Sequence, residues 1–185
     1  MKQIQHGFTL LELMVTIAIV GIVAAIAFWN SSDMLEENRA ENFLLELKRN
    51  INFARAKATS TDSLIVVCSA DTTNIENNTQ LTCSKDWSDG TIIVFFDDNS
   101  NGGYDPQEGD KILRAMAEIS ENSKLTFSGD TSLTFDASGR ITSNPGTFTY
   151  CPNKDNENNK ALTISQSGTA LYNGDTNNSC VAKAL

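Results

Sequence analysis

The sequence predicts an α+β protein, and three observations carry that expectation. Phe8–Trp29 is a run of 22 residues whose only charge is Glu12; an amphipathic stretch follows it; and beyond Ser63 short β-rich segments alternate with Gly, Asn and Asp. A long helix followed by hairpins is the α+β pattern.

The elements follow in order. Residues 1–7, MKQIQHG, form a short polar leader ahead of the apolar run. At 1.5 Å per residue the run gives a helix of roughly 33 Å, close to the ~30 Å hydrocarbon core of a bilayer. A secretory signal has a shorter apolar region ending in an A-x-A site, and this run has neither feature. Residues 8–29 are therefore expected to be a transmembrane helix, with Lys2 placing the leader in the cytoplasm. A carboxylate at membrane depth costs about 2.5 to 3.5 kcal/mol, so Glu12 is expected to have a partner and a function.

From residue 30 to about 60 the helical signal continues in another form. Leu44, Leu47, Ile51, Ala54 and Ala58 recur at intervals of three and four, and charges occupy the other faces. That spacing predicts one buried stripe. Acids come early (Asp33, Glu36, Glu37, Glu41) and bases late (Lys48, Arg49, Arg55, Lys57), the order a helix dipole favours. With no Pro between Phe8 and Thr61, one helix of about 50 residues could run roughly 75 Å. Asn30-Ser31-Ser32-Asp33 offers the alternative of a break with a fresh N-cap.

Residues 61–185 read as one β domain. Strands are expected at 64–68, 91–97, 112–117, 124–127, 132–136, 147–151, 161–165 and 169–173. The Asn-rich pieces 71–80 and 153–159 read as surface loops, and Phe95, Phe96, Phe127, Phe135, Phe148 and Tyr150 as core.

Composition bounds the partners. Lys2 lies in the leader; without it 13 basic side chains face 23 acidic ones, a net charge of −10. Such a chain repels phosphate backbones on average. Cys68, Cys83, Cys151 and Cys180 permit three pairings. Pairing 68 with 83 and 151 with 180 is the expectation, because each closes a polar loop within one half of the domain. Zinc is disfavoured, since C-x2-C spacing is lacking and the sole His, His6, is in the leader.

One loop suggests a ligand. Asp97, Asn99, Asn101, Gly102 and Glu108 satisfy the D-x-[DN]-x-[DN]-G-x5-E pattern for Ca²⁺, with the Gly103 carbonyl seventh and Asp105 ninth. A strand, GTIIVFFD, precedes it where an EF-hand has a helix, and the competing reading is a polar hairpin turn. No enzyme is expected. No His follows the leader, no Cys has a neighbouring base, and no G-x-S-x-G, phosphate loop or dinucleotide fingerprint occurs.

Gly7 followed by Phe8-Thr9-Leu10-Leu11-Glu12 resembles the processing site of type IV pilins and type II secretion pseudopilins. LIVVC (64–68), Cys83, Trp87, GTIIVFFDDNSNGGYD (90–105), ILR (112–114), FDASGR (135–140), GTFTYC (146–151) and ALTISQSG (161–168), in that order, resemble the GspH/FimT domain. The resemblance implies a pilin-like fold, with a long N-terminal helix packed through its second half on an antiparallel sheet. It implies cleavage after Gly7 by prepilin peptidase, methylation of the Phe8 amine, and a Glu12 that meets the Phe8 amine of a neighbouring subunit. The implied product is a minor subunit of a secretion pseudopilus or type IV pilus that helps start or cap assembly. Its precursor would be anchored in the inner membrane with a periplasmic domain. Many members carry a Pro where this chain has Phe28 and Trp29, so no kink is carried over. Some FimT-like pilins serve DNA uptake through a Gly-Arg-x-Arg element. Gly139-Arg140-Ile141-Thr142 keeps only its first Arg, so DNA binding through Arg140 is the alternative, and a turn residue is the favoured reading.

Overall fold

The structure is a computed structural model that describes residues 8–29, 31–155 and 157–180; the side-chain surroundings of 26–33 are outside the description. Backbone contacts divide the chain into two compact units, Met1–Leu35 and Glu36–Leu185.

The first unit holds α1, Leu10–Trp29. Thr9 opens it, its hydroxyl accepting the Glu12 N–H at 3.2 Å. Thr9-x-x-Glu12 is the sequence of a capping box, whose first half this bond makes. Helix α2 is Ser31–Thr61. The two described helical stretches lie on either side of Asn30, which is outside the described residues, as is the candidate break that begins there.

In the second unit the predicted stripe is fully buried: Ala40, Leu44, Leu47, Ile51, Ala54 and Ala58 are all at 0% exposure. They share one apolar core with residues of two antiparallel sheets. The strands are β1 Leu64–Ala70, β2 Thr91–Asp97, β3 Lys111–Ala115, β4 Lys124–Phe127, β5 Ser132–Phe135, β6 Gly146–Cys151, β7 Lys160–Ile164 and β8 Ala170–Asp175. One sheet runs β3-β2-β1-β5 and the other β4-β6-β7-β8. Each expected strand is present, with ends moved by up to two residues. The fold is α+β and pilin-like, as expected.

Strands β1 and β2 are buried along almost their whole length instead of alternating. The reason is a second apolar cluster on the outer face of their sheet, formed by Val66, Cys68, Ile93 and Phe95 with Leu81 and Tyr104 from the covering loops. Continuous apolar runs are what a sheet covered on both faces requires. The first Asn-rich loop is more ordered than its composition suggests. Asp71 caps a short helix, α3 Thr72–Glu76, by accepting the Thr73 N–H at 2.7 Å.

The disulfides are Cys68–Cys83 and Cys151–Cys180, the expected pairing. The first ties the covering loop to β1. The second fastens the end of the described chain to β6. Of the expected aromatic core, Phe95, Phe135, Phe148 and Tyr150 are buried. Phe96 and Phe127 are partly buried against the same core.

Candidate functional site

The N-terminal segment is built from a simple conflict. Residues 8–22 are exposed throughout, among them Phe8 at 81%, Leu11 at 73% and Ile17 at 63%. A helix apolar on every face is stable only when something covers it. Glu12 sits in the first turn of this surface, where the positive end of the helix dipole favours an acid. Among the described residues the ion pairs belong to Lys160, and none includes Glu12. Gly21 lies midway along α1, and a Cβ there would meet nothing within 4 Å. Gly7 lies outside the described residues. No helix, over its described residues, is long and apolar enough to cross a membrane. The α1 backbone itself is 20 residues, about 30 Å at 1.5 Å per residue.

The 97–108 loop is organised by two buried carboxylates. Asp97, at the end of β2, is 2% exposed and accepts the N–H groups of Asn101 at 3.2 Å and Gly102 at 2.9 Å. Asp110, 4% exposed, accepts those of Asp98 at 2.8 Å and Asp105 at 2.7 Å. Side-chain oxygens of Asn99, Asn101 and Asp105 cap the N–H groups of Asn101, Gly103 and Gln107. The Glu108 carboxylate accepts from the Asn99 amide. Positive φ at Gly102 and Gly109 lets the chain reverse twice within this short span. A short 3₁₀ turn, Pro106–Glu108, follows Asp105. The loop therefore brings Asp97, Asn99, Asn101, Gly103, Asp105 and Glu108 together, but its oxygens are engaged by N–H groups. Among the described residues no group of three His, Cys, Asp or Glu side chains is disposed to hold a metal ion. Asp110 organises the loop as much as Asp97 does, and the calcium pattern overlooks it because it falls two residues past the motif.

Arg140 is exposed in a turn. The Asp136 carboxylate accepts the Ser138 hydroxyl and the backbone N–H groups of Ser138 and Arg140. The Ser138 hydroxyl bond, then the Arg140 N–H, hold the Asp136 carboxyl below the usual range. Arg55 of α2 donates to the Gly139 carbonyl at 3.1 Å and so docks this turn on the helix.

A feature that sequence reasoning missed is Lys160. Its side chain is 5% exposed and bonds Glu37 of α2 at 2.9 Å and Asp175 of β8. Burial pushes the Lys160 ammonium down, but its bonds to Asp175 and Glu37 outweigh burial and hold it above its ordinary value. Beside it Asn153 donates to Glu36 at 2.6 Å, and Phe43 stacks on Tyr150 with ring centres 4.5 Å apart. No sequence signal marks this Lys, because its partners are 123 and 15 residues away.

Comparison with known proteins agrees with this architecture. Residues 2–28 match the prokaryotic N-terminal methylation motif, and residues 45–168 match the model of the type II transport protein GspH. A 27-residue segment is 70% identical to the fimbrial protein EcpC of Eikenella corrodens, covering 15% of this chain and 18% of that protein. The match thus spans less than a fifth of the curated relative. Two crystal structures of the type IV minor pilin FimU of Pseudomonas aeruginosa superpose with TM-scores of 0.54 and 0.50. They are 21% and 20% identical, over 75% and 71% of this chain and 91% and 90% of theirs. At that identity the likeness is one of fold.

An apolar N-terminal helix carrying a methylation motif, followed by a helix packed on antiparallel sheets, defines a subunit of the type IV pilin class. The chain belongs to the GspH family.

Proposed function

We propose that the chain is made as an inner-membrane precursor, cut after Gly7 by prepilin peptidase, methylated on the Phe8 amine, and polymerised through α1 into a pseudopilus or type IV pilus. The observation that carries this reading is the apolar α1 surface, exposed along residues 8–22, with one acid in its first turn. Lipid covers that surface before assembly, and helices of neighbouring subunits cover it afterwards. Cleavage makes Phe8 the first residue and gives it a positive amine. Glu12 then pairs with the Phe8 amine of a neighbour and fixes the stagger between subunits, since an uncompensated carboxylate in an apolar surround is strongly disfavoured.

The β domain, outside the filament core, selects the adjoining subunits and helps to start or cap assembly. Two disulfides suit a periplasmic location. An acidic chain with one exposed Arg in the candidate element offers little to DNA. Mass analysis of the N-terminal peptide, taken from cells that express the peptidase, tests the reading. A methylated peptide beginning at Phe8 is expected, and a chain that keeps residues 1–7 contradicts it.

A further inference from the structure

We propose that Asn177 is an acceptor for an N-linked glycan, delivered from a polyprenyl-diphosphate carrier on the outer face of the inner membrane. The proposal rests on the periplasmic location inferred above, and its test is independent of that location.

Asn-x-Ser/Thr, the acceptor pattern for N-glycosylation, occurs three times: at Asn30, Asn77 and Asn177. Only the last lies two residues after an acid, in Asp175-Thr176-Asn177-Asn178-Ser179. An acid at that position offers a transferase cation a charge-assisted hydrogen bond beside the acceptor. The residues two before Asn30 and Asn77 are Phe28 and Ile75. Asn30 lies outside the described residues. Asn77 is the C-cap of α3, and its side-chain amide donates to the Thr73 carbonyl at 2.8 Å, so its nitrogen is occupied.

Asn177 is placed differently. It follows β8 in a segment without helix or strand, and its side chain is exposed. The segment is anchored through alternate residues. The Thr176 N–H donates to the Asn159 carbonyl at 3.0 Å, and the Asn159 amide donates to the Asn178 carbonyl at 2.8 Å. Residues two apart in an extended chain share a face, and Asp175, Asn177 and Ser179 are all exposed. The Asp175 side chain keeps 82% exposure while it bonds Lys160, so its charge is available to a cation of the transferase. Among the described residues no hydrogen bond engages the Asn177 amide. The acid and the acceptor nitrogen are thus displayed together, with the Cys151–Cys180 disulfide closing the segment on its far side.

In the transfer the Asn177 Nδ2 attacks the anomeric carbon of the carrier-bound sugar. The C–N bond forms as the bond from that carbon to the diphosphate oxygen breaks. One amide proton passes to a base of the transferase, and the lipid diphosphate leaves with the electron pair.

The test uses the purified full chain in detergent, a bacterial oligosaccharyltransferase and a polyprenyl-diphosphate oligosaccharide, with a free Asp-Thr-Asn-Asn-Ser peptide as positive control. One glycan is expected, on the tryptic peptide 161–183. Asn177→Gln should abolish it. Asp175→Asn should lower its rate roughly tenfold or more, the scale of one charge-assisted hydrogen bond. A chain left unmodified while the control peptide is glycosylated overturns the proposal. So does modification at Asn77 instead, or a rate that Asp175→Asn leaves unchanged. Whether the chain reaches the periplasm is read separately, from its processed N-terminus.

Discussion

Helices α1 and α2 present their apolar residues in opposite ways. Over residues 10–23 of α1 the apolar side chains are spread around the helix and exposed; in α2 a stripe from Ala40 to Ala58 is fully buried against the two sheets, with Met34 and Leu35 exposed ahead of it. The second helix is satisfied within its own chain. The first is not, and on the function proposed above lipid or other subunits would cover it. One chain thus divides its hydrophobic surface into a buried and an exposed share, and the two should respond differently to mutation.

Truncation in the stripe should separate them most. Leu47→Ala should lower the unfolding free energy of the globular unit by about 2–5 kcal/mol, as for other fully buried Leu. Ile19→Ala should leave that quantity unchanged within about 0.5 kcal/mol, as exposed positions do. Denaturant unfolding followed by the fluorescence of Trp87, which is buried in the β domain, measures both. Equal losses at the two sites would break the comparison.

Removing a disulfide comes next. Loops of 15 and 29 residues are closed by Cys68–Cys83 and Cys151–Cys180, and closures of this size stabilise by about 3–4 kcal/mol in the chain-entropy model, before any native strain is subtracted. Replacing both cysteines of a pair by Ala should lower the unfolding free energy by nearly that amount, and reductant should then produce no further loss from that pair.

Lys160→Met probes how α2 is held and should have a smaller effect. Losing one partner of a fully buried ion pair costs about 3–5 kcal/mol, but the side chains of Glu37 and Asp175 are 52% and 82% exposed, which reduces the expected loss to about 1–2 kcal/mol. The sign of the pH dependence is fixed. The folded-state value of Lys160 is raised above 10.5, so its contribution is full below that pH and is lost as pH rises through the higher folded value. Unfolding curves should show an alkaline loss in the wild type that Lys160→Met makes smaller, the remainder belonging to Tyr104 and Tyr172, whose folded values burial raises above 10.0. Asp136 gives the smallest effect and the opposite direction. Its folded value lies below 3.8, so its contribution is present above that pH and fades as pH falls through the lower folded value.

Much of this division is legible in the sequence, because it rests on local pattern. The stripe from Leu44 to Ala58 follows from helical spacing, and the eight strands follow from β-rich runs between turn residues. The pairing of the cysteines followed from loop closure. Features that depend on chain reversal are not local and were hidden. Neither the two-sided burial of β1 and β2 nor the Lys160 tie leaves a periodic trace, since both depend on loops and strands that return from far along the chain. The 97–108 loop shows both sides of this. Residues of its motif hydrogen-bond one another within the loop, yet Asp110, beyond the motif, shares the work of holding it. Glu12 was legible as an anomaly of charge, and the role proposed for it involves a second subunit that one sequence does not contain.

The central claim, that the apolar surface of α1 is reserved for other subunits and that Glu12 sets their stagger, is tested most directly by incorporation. Glu12→Val, expressed beside the other subunits of its filament, should still be inserted in the membrane and processed, because Val is more apolar than Glu, but should be missing from sheared filaments. Wild-type levels of the variant in those filaments would contradict the amine pairing.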